Sequence, residues 1–216
     1  MREVLARYRD ESLFVRLFVL ARHLLAPLER VAREVPTSGR ILDLGCGHGL
    51  FVNLLALQSP GRQVLGVDPS PAKLEVARRS SAGLPNVRYQ QGRIDDVAEG
   101  GWRAITILDV LYLLPDDEKL AVLRHCRSLL APDGVLLLKT NDTNPRWKYA
   151  VVRAEEELMV RVLGLTFGGQ VHFRGVWDYT RLLAAAGFGG RVLDVGRGRP
   201  APHRLYVGRP LARPAE

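Results

Sequence analysis

Asp43 stands two residues ahead of Gly45 in the run Arg40-Ile41-Leu42-Asp43-Leu44-Gly45-Cys46-Gly47-His48-Gly49-Leu50-Phe51, and a second acid, Asp68, follows 23 positions after Gly45. Ile41, Leu42 and Leu44 around Asp43 have the apolar character of a short buried parallel strand. Glycines at every second position then give a sharp turn whose bare backbone a ligand can approach closely, before a helix begins near Leu50. Their spacing is G-x-G-x-G, not the wider G-x-G-x-x-G of dinucleotide sites. A carboxylate ahead of such a turn repels a pyrophosphate and suits a cationic ligand. Asp68 ends a second apolar run, Gln63-Val64-Leu65-Gly66-Val67, at the distance at which a doubly wound sheet places a carboxylate on a ribose diol.

Other chemistry-bearing residues follow later runs. Gly92-Arg93-Ile94-Asp95 comes after a third strand-like run, and Asp109-Val110-Leu111-Tyr112-Leu113-Leu114-Pro115 after a fourth. Near the end, Arg197, Arg199, His203 and Arg204 fall within eight residues, stiffened by Pro200 and Pro202. That loop reads either as a solvated hairpin turn or as an anion clamp, in which Arg197 and Arg199 hold a carboxylate or phosphate.

Such a site needs elements that hold it. Residues 1–35 read as helix, with Leu13, Leu17, Leu20, Leu24 and Leu28 on one stripe and Arg2, Arg9, Arg16, His23 and Arg30 recurring on another face. The expectation is a cap packed over the domain and its cleft; a peripheral-membrane or carrier-protein contact through this helix is the alternative. From residue 36 strands and helices alternate. Strands are expected around Asp43 and at 63–68, 86–92, 102–108, 135–139, 191–195 and 203–207, with helices at 50–57, 72–79, about 115–130 and 176–186. Residues 141–175 form an insertion after the fifth strand, helical over 146–163 and glycine-bearing after it. Gly164, Gly168 and Gly169 would let it close as a lid together with the N-terminal helix. The order predicts an α/β fold over 36–209: a doubly wound, mostly parallel seven-stranded sheet with a final antiparallel strand, plus the N-terminal helix and the helical insertion. Residues 210–216 read as a disordered tail.

Composition narrows the partners. A chain of 216 residues suits one well-cored α/β domain. The net charge of +8 suggests nucleic acid, yet 31 − 4 = 27 of the basic residues are arginine, which rises together with alanine, glycine and proline. That is the mark of a compositional background, so nucleic acid is not an expected partner. Cys46 and Cys126 are the only cysteines, which leaves no disulfide framework or cysteine metal site and fits a reducing cytoplasm. No run of about 18 apolar residues exists, and the first residues lack a signal-peptide pattern. A cytoplasmic location, membrane-peripheral if the first helix lies on a bilayer, is the expectation.

With Asp43 ahead of it, the glycine turn resembles motif I of the class I S-adenosylmethionine-dependent methyltransferases, roughly acid-x-Gly-x-Gly-x-Gly. Asp68 matches that family's ribose-binding acid, and Asp109 to Pro115 corresponds to motif IV, where the sulfonium end of the cofactor meets the acceptor. The resemblance covers roughly residues 36–209. It implies S-adenosyl-L-methionine as methyl donor, S-adenosyl-L-homocysteine as product, and a cofactor site formed by Asp43, Gly45, Cys46, Gly47, Asp68, Pro69, Arg93, Ile94 and Asp109. Asp43 would act through the cofactor's amino group or through the geometry of the turn. The family usually continues Gly-Asp-Ala after the third strand. Here Arg93 offers no acceptor, which leaves Asp95, a backbone carbonyl or water for the adenine amino group, with Ile94 against the ring. The Asp109-Val110-Leu111-Tyr112 run departs from the Pro-Pro pattern of enzymes that methylate nucleobase amines, which counts against that acceptor.

Methyl transfer is an in-line displacement on an activated carbon, so the protein supplies mainly orientation and exclusion of water. A base is needed only for a hydroxyl or a similarly weak nucleophile. Candidates on the ligand face are His172, Tyr112, Asp142 and His203, with His172 favoured by reach and pKa class. No metal-ligand constellation stands out. Apolar residues of the first helix and the insertion, with arginines around them, point to O-methylation of a small hydrophobic acceptor with an anionic end, lipid-like, aromatic or carrier-linked. A cofactor-binding domain without catalysis, serving as partner or scaffold, is one alternative. A nicotinamide-dependent oxidoreductase shares the layout but needs the wider glycine spacing and has no use for Asp43.

Overall fold

The computed structural model describes residues 1–142, 176–199 and 201–212. Seven strands, β1 (Gly39–Leu44), β2 (Arg62–Asp68), β3 (Val87–Gln91), β4 (Trp102–Leu108), β5 (Leu130–Asn141), β6 (Phe188–Asp194) and β7 (His203–Pro210), form one sheet. Their order is β3-β2-β1-β4-β5-β7-β6. The first five pair in parallel. β7 is inserted antiparallel between β5 and β6, so β6 runs in the same direction as the first five. The order reverses between β1 and β4, and an open α/β sheet opens its ligand crevice at the carboxyl ends beside such a switch point.

Helices cover both faces. Helices α4 (Leu50–Gln58) and α5 (Pro71–Ser80) pack on one side, and α6 (Asp116–Leu129) and α7 (Val176–Ala185) on the other. Local chemistry sets their ends. Pro71 occupies the first turn of α5, and the Ser70 hydroxyl accepts the Lys73 N–H at 3.4 Å. The buried Arg62 guanidinium donates to the carbonyls of Ala32, Val35, Pro36 and Leu55, satisfying chain ends that would otherwise lie unpaired beneath the entry to β1.

The N-terminal segment is three helices, not the continuous one expected: α1 (Arg2–Ala6), α2 (Leu13–Leu25) and α3 (Leu28–Ala32). Ser12 caps α2, and Ala26 is extended ahead of Pro27, which stops the helix. The Tyr8 hydroxyl donates to the His48 carbonyl at 2.9 Å, and Arg79 binds Glu11 at 2.8 Å, tying the segment to the glycine turn and α5. The inward face of α2 also differs from the leucine stripe. Val15 and Val19 are buried, whereas Leu13, Phe14, Leu17, Leu20 and Leu24 are between 42% and 67% exposed. Both faces of α2 are apolar, so periodicity alone does not choose between them.

Smaller differences have simple causes. Pro132, Asp133 and Gly134, expected as a turn, belong to β5, whose pairing with β4 slips between Trp102 and Ala104. β6 begins at Phe188, directly after Gly187 with φ 82°. β7 runs to Pro210 and the Leu211 N–H donates to the Gly187 carbonyl at 2.9 Å, so the chain is still bonded past residue 210. The expected helix at 146–163, the three lid glycines and His172 lie outside the described residues.

Candidate active site

The carboxyl ends of β1, β2 and β4 meet around a cleft of about 500 Å³. Its first half is the glycine turn. Gly45 has φ 71°, and a Cβ there would lie 2.3 Å from Val110 Cγ2, so this glycine is needed for packing. Gly47 is the opposite case: at φ 53° nothing lies within 4 Å of a Cβ position, and its bare backbone faces open space. Asp68 sits beside it, 5% exposed. One carboxylate oxygen accepts the Gly47 N–H and the other the Ser70 N–H, each at 2.9 Å. Each oxygen keeps lone-pair capacity for a further donor, which is what a diol supplies.

Asp43 is 3% exposed at the floor. The Thr106 hydroxyl donates to it at 2.5 Å. Burial raises its carboxyl to about 7; the Thr106 hydrogen bond opposes that rise and the neighbouring Asp68 adds to it. Two buried acids around an open glycine turn fit a cationic ligand that carries a diol. Ile94 and Arg93 flank the same half, Arg93 paired with Glu118 of α6 at 3.1 Å. Asp95 is exposed and does not line the cleft.

The second half is assembled from distant elements. Asp109, just after β4, has φ 59°, the only non-glycine residue with positive φ among those described. Lys139 of β5, 1% exposed, places its Nζ 2.6 and 2.7 Å from the two Asp109 oxygens. Arg22 of α2 adds an ion pair at 2.7 Å. Burial alone would raise the Asp109 carboxyl, but Lys139 and then Arg22 outweigh it and hold it well below the usual carboxylate range. Around this cluster Phe18, Val19, Ala21, Leu25 and Leu28 face Leu111, Tyr112, Leu113 and Leu114. The wall is apolar. The Phe18 ring lies 5.0 Å from the His48 ring, which with the Arg22 pair fixes the rotation of α2.

All nine residues expected around the cofactor, Asp43, Gly45, Cys46, Gly47, Asp68, Pro69, Arg93, Ile94 and Asp109, line this cleft, as does Tyr112. Asp142 does not: its carboxylate is 3.1 Å from Arg204 and its N–H donates to the Pro202 carbonyl at 2.8 Å. Arg197 and Arg199 do not line it either. His203 is buried with Nε2 2.9 Å from the Leu25 carbonyl, and burial followed by the charge of Lys139 lowers it to about 3. Among the described residues no group of three or more His, Cys, Asp or Glu could hold a metal ion. Sequence reasoning missed Arg22, His48 and Lys73 as cleft residues, and Lys139 as the buried partner of Asp109. A lysine ending the apolar run Val135-Leu136-Leu137-Leu138 was the one available signal, because a buried lysine demands an acid.

Known proteins agree with this geometry. A family model described as "Methyltransferase domain" matches residues 16–191. The ubiquinone biosynthesis O-methyltransferase of Xanthomonas campestris pv. campestris (strain B100) is 39% identical over 141 residues, 62% of this chain and 57% of that protein. Its counterpart from Chromobacterium violaceum is 30% identical over 178 residues, 79% of this chain and 70% of that protein. The chain thus spans little more than half the length of the first of these relatives. Among solved structures, the mitomycin 7-O-methyltransferase MmcR superposes with a TM-score of 0.72 at 22% identity, covering 95% of this chain and 60% of that one. The DhpI complex with S-adenosylhomocysteine gives 0.70 at 24%, covering 98% and 97%. These two likenesses concern the fold. The family match spans most of the chain, including the cleft and the greater part of α2, and the protein therefore belongs to the class I S-adenosylmethionine-dependent methyltransferases.

Proposed function

We propose that the protein transfers a methyl group from S-adenosylmethionine to a hydroxyl oxygen of a small apolar acceptor. The observation that carries this reading is the continuity of the cleft, whose acidic glycine-turn half joins an apolar half at Asp109. When bound, S-adenosylmethionine supplies an electrophilic methyl carbon on a sulfonium. In this reading Asp68 takes the ribose diol, Asp43 faces the ammonium, Gly47 allows close approach and Ile94 packs on the adenine. The α2 wall excludes water and aligns the acceptor with the donor. The O-methyltransferase names of the relatives support oxygen as the acceptor atom, and the apolar wall supports an apolar molecule.

His203, lowered to about 3 and bonded to a carbonyl, is a poor base at neutral pH. The reading assigns proton removal to His172, which lies outside the described residues, with Tyr112 orienting the hydroxyl. An anionic end on the acceptor, free or carried by a larger partner, would have to extend beyond the cleft to meet Arg197 and Arg199. The test is incubation with methyl-labelled S-adenosylmethionine and a set of alkylated catechols. Labelled methyl ether and stoichiometric S-adenosylhomocysteine are expected. Binding of S-adenosylhomocysteine with no transfer to any hydroxylated acceptor would favour a scaffold role, and no binding at all would overturn the reading.

A further inference from the structure

Five of the seven exposed large hydrophobic side chains among the described residues belong to α2: Leu13, Phe14, Leu17, Leu20 and Leu24. They share its outward side, and none of them lines the cleft. We propose that this face is a docking surface for a bilayer containing anionic lipid, and that the acceptor enters the cleft from that bilayer. The second clause rests on the function proposed above; the first does not.

An apolar patch of this kind on an otherwise polar surface marks an interaction site. The helix Leu13–Leu25 contains no acid, and exposed Arg16 stands beside the leucines, the arrangement that suits negative headgroups. Thirteen residues span about 20 Å. No helix among the described residues is long and apolar enough to cross a membrane, so α2 would lie in the interfacial plane. The surface is also held in place. Arg22 pins α2 to Asp109, and the Glu11–Arg79 pair fixes the turn ahead of it. Adjoining faces of one helix then serve one path: Phe18, Ala21 and Leu25 wall the cleft while the leucines beside them sit in lipid.

Other occupants fit less well. A second copy would set an acid-free helix against another, with nothing to answer Arg16. An acidic carrier protein would need several cations, whereas the outward face offers Arg16 among five large apolar groups.

The test is co-sedimentation of the full chain with vesicles of phosphatidylcholine, with and without phosphatidylglycerol. Binding to the anionic vesicles is expected, weakened by added salt, and Leu17→Ser/Leu20→Ser should lower the partition on the order of tenfold. Titration with S-adenosylhomocysteine should give the same affinity for both proteins, showing that the variant is folded and the cleft intact. Equal partition of variant and wild type would overturn the proposal, as would absence of binding to either vesicle. A dimer in light scattering that the double variant abolishes would assign the face to a second copy instead. Loss of S-adenosylhomocysteine binding in the wild type would sink the methyltransferase reading while leaving the vesicle result to stand.

Discussion

In one half of the cleft, Asp43, Gly45, Gly47 and Asp68 come from two adjacent strands and one turn, and backbone N–H groups hold the acid of β2 in place. In the other half, Arg22 and Asp109, with Lys139 buried behind them, come from an N-terminal helix, a loop and a central strand, and charge holds them together. The first half is set by short spacing; the second exists only once the chain has folded. A class of cofactor is therefore written locally, while the acceptor's surroundings depend on long-range pairing. The two halves should respond differently to substitution.

The largest effect belongs to the charged cluster. Lys139→Met leaves the buried Asp109 carboxylate without its closer partner and should cost about 3–5 kcal/mol, read as a fall in the urea midpoint. Lys139→Met combined with Asp109→Leu should recover part of that loss, because the buried carboxylate that lacked its lysine is removed as well. If the single variant is as stable as wild type, the cluster does not hold the acceptor half. The next contrast lies within α2. Val19→Ser, on the buried face, should destabilise by about 2 kcal/mol, against less than about 0.5 kcal/mol for Leu20→Ser on the exposed face. Equal losses would mean that the helix is rotated from its position here.

A smaller effect separates the halves by pH. Asp43 is raised to about 7, so its carboxylate, which a cationic ligand needs, appears only as pH rises through that value. Affinity for S-adenosylhomocysteine should climb by up to about tenfold between about pH 6 and about pH 8. Asp43→Asn should flatten the profile. The sign for the free protein is opposite: a carboxyl raised by folding contributes less stability as pH increases from the ordinary carboxylate range to about 7. A pH-independent affinity in the wild type would remove Asp43 from the ammonium.

What could be read from the sequence follows the same division. The glycine turn, the acid of β2 and the alternation of strand and helix were legible because each is a short-range pattern with a steric or electrostatic cause. The inserted position of β7, the rotation of α2 and the Arg22–Asp109–Lys139 cluster were not. Their partners are far apart in the chain, and α2 offers two apolar faces of which only tertiary contacts select one. Asp142 shows the same limit: its place after β5 put it on the ligand face, but Arg204 from β7 takes its carboxylate.

Asp68 tests the central claim most directly, that the acids at the ends of β1 and β2 form a site for S-adenosylmethionine. Calorimetric titration of wild type and Asp68→Ala with S-adenosylhomocysteine should show a loss of about 1.5–3 kcal/mol in the variant, with folding confirmed by an unchanged urea slope. An unchanged affinity in a folded Asp68→Ala protein would contradict the account.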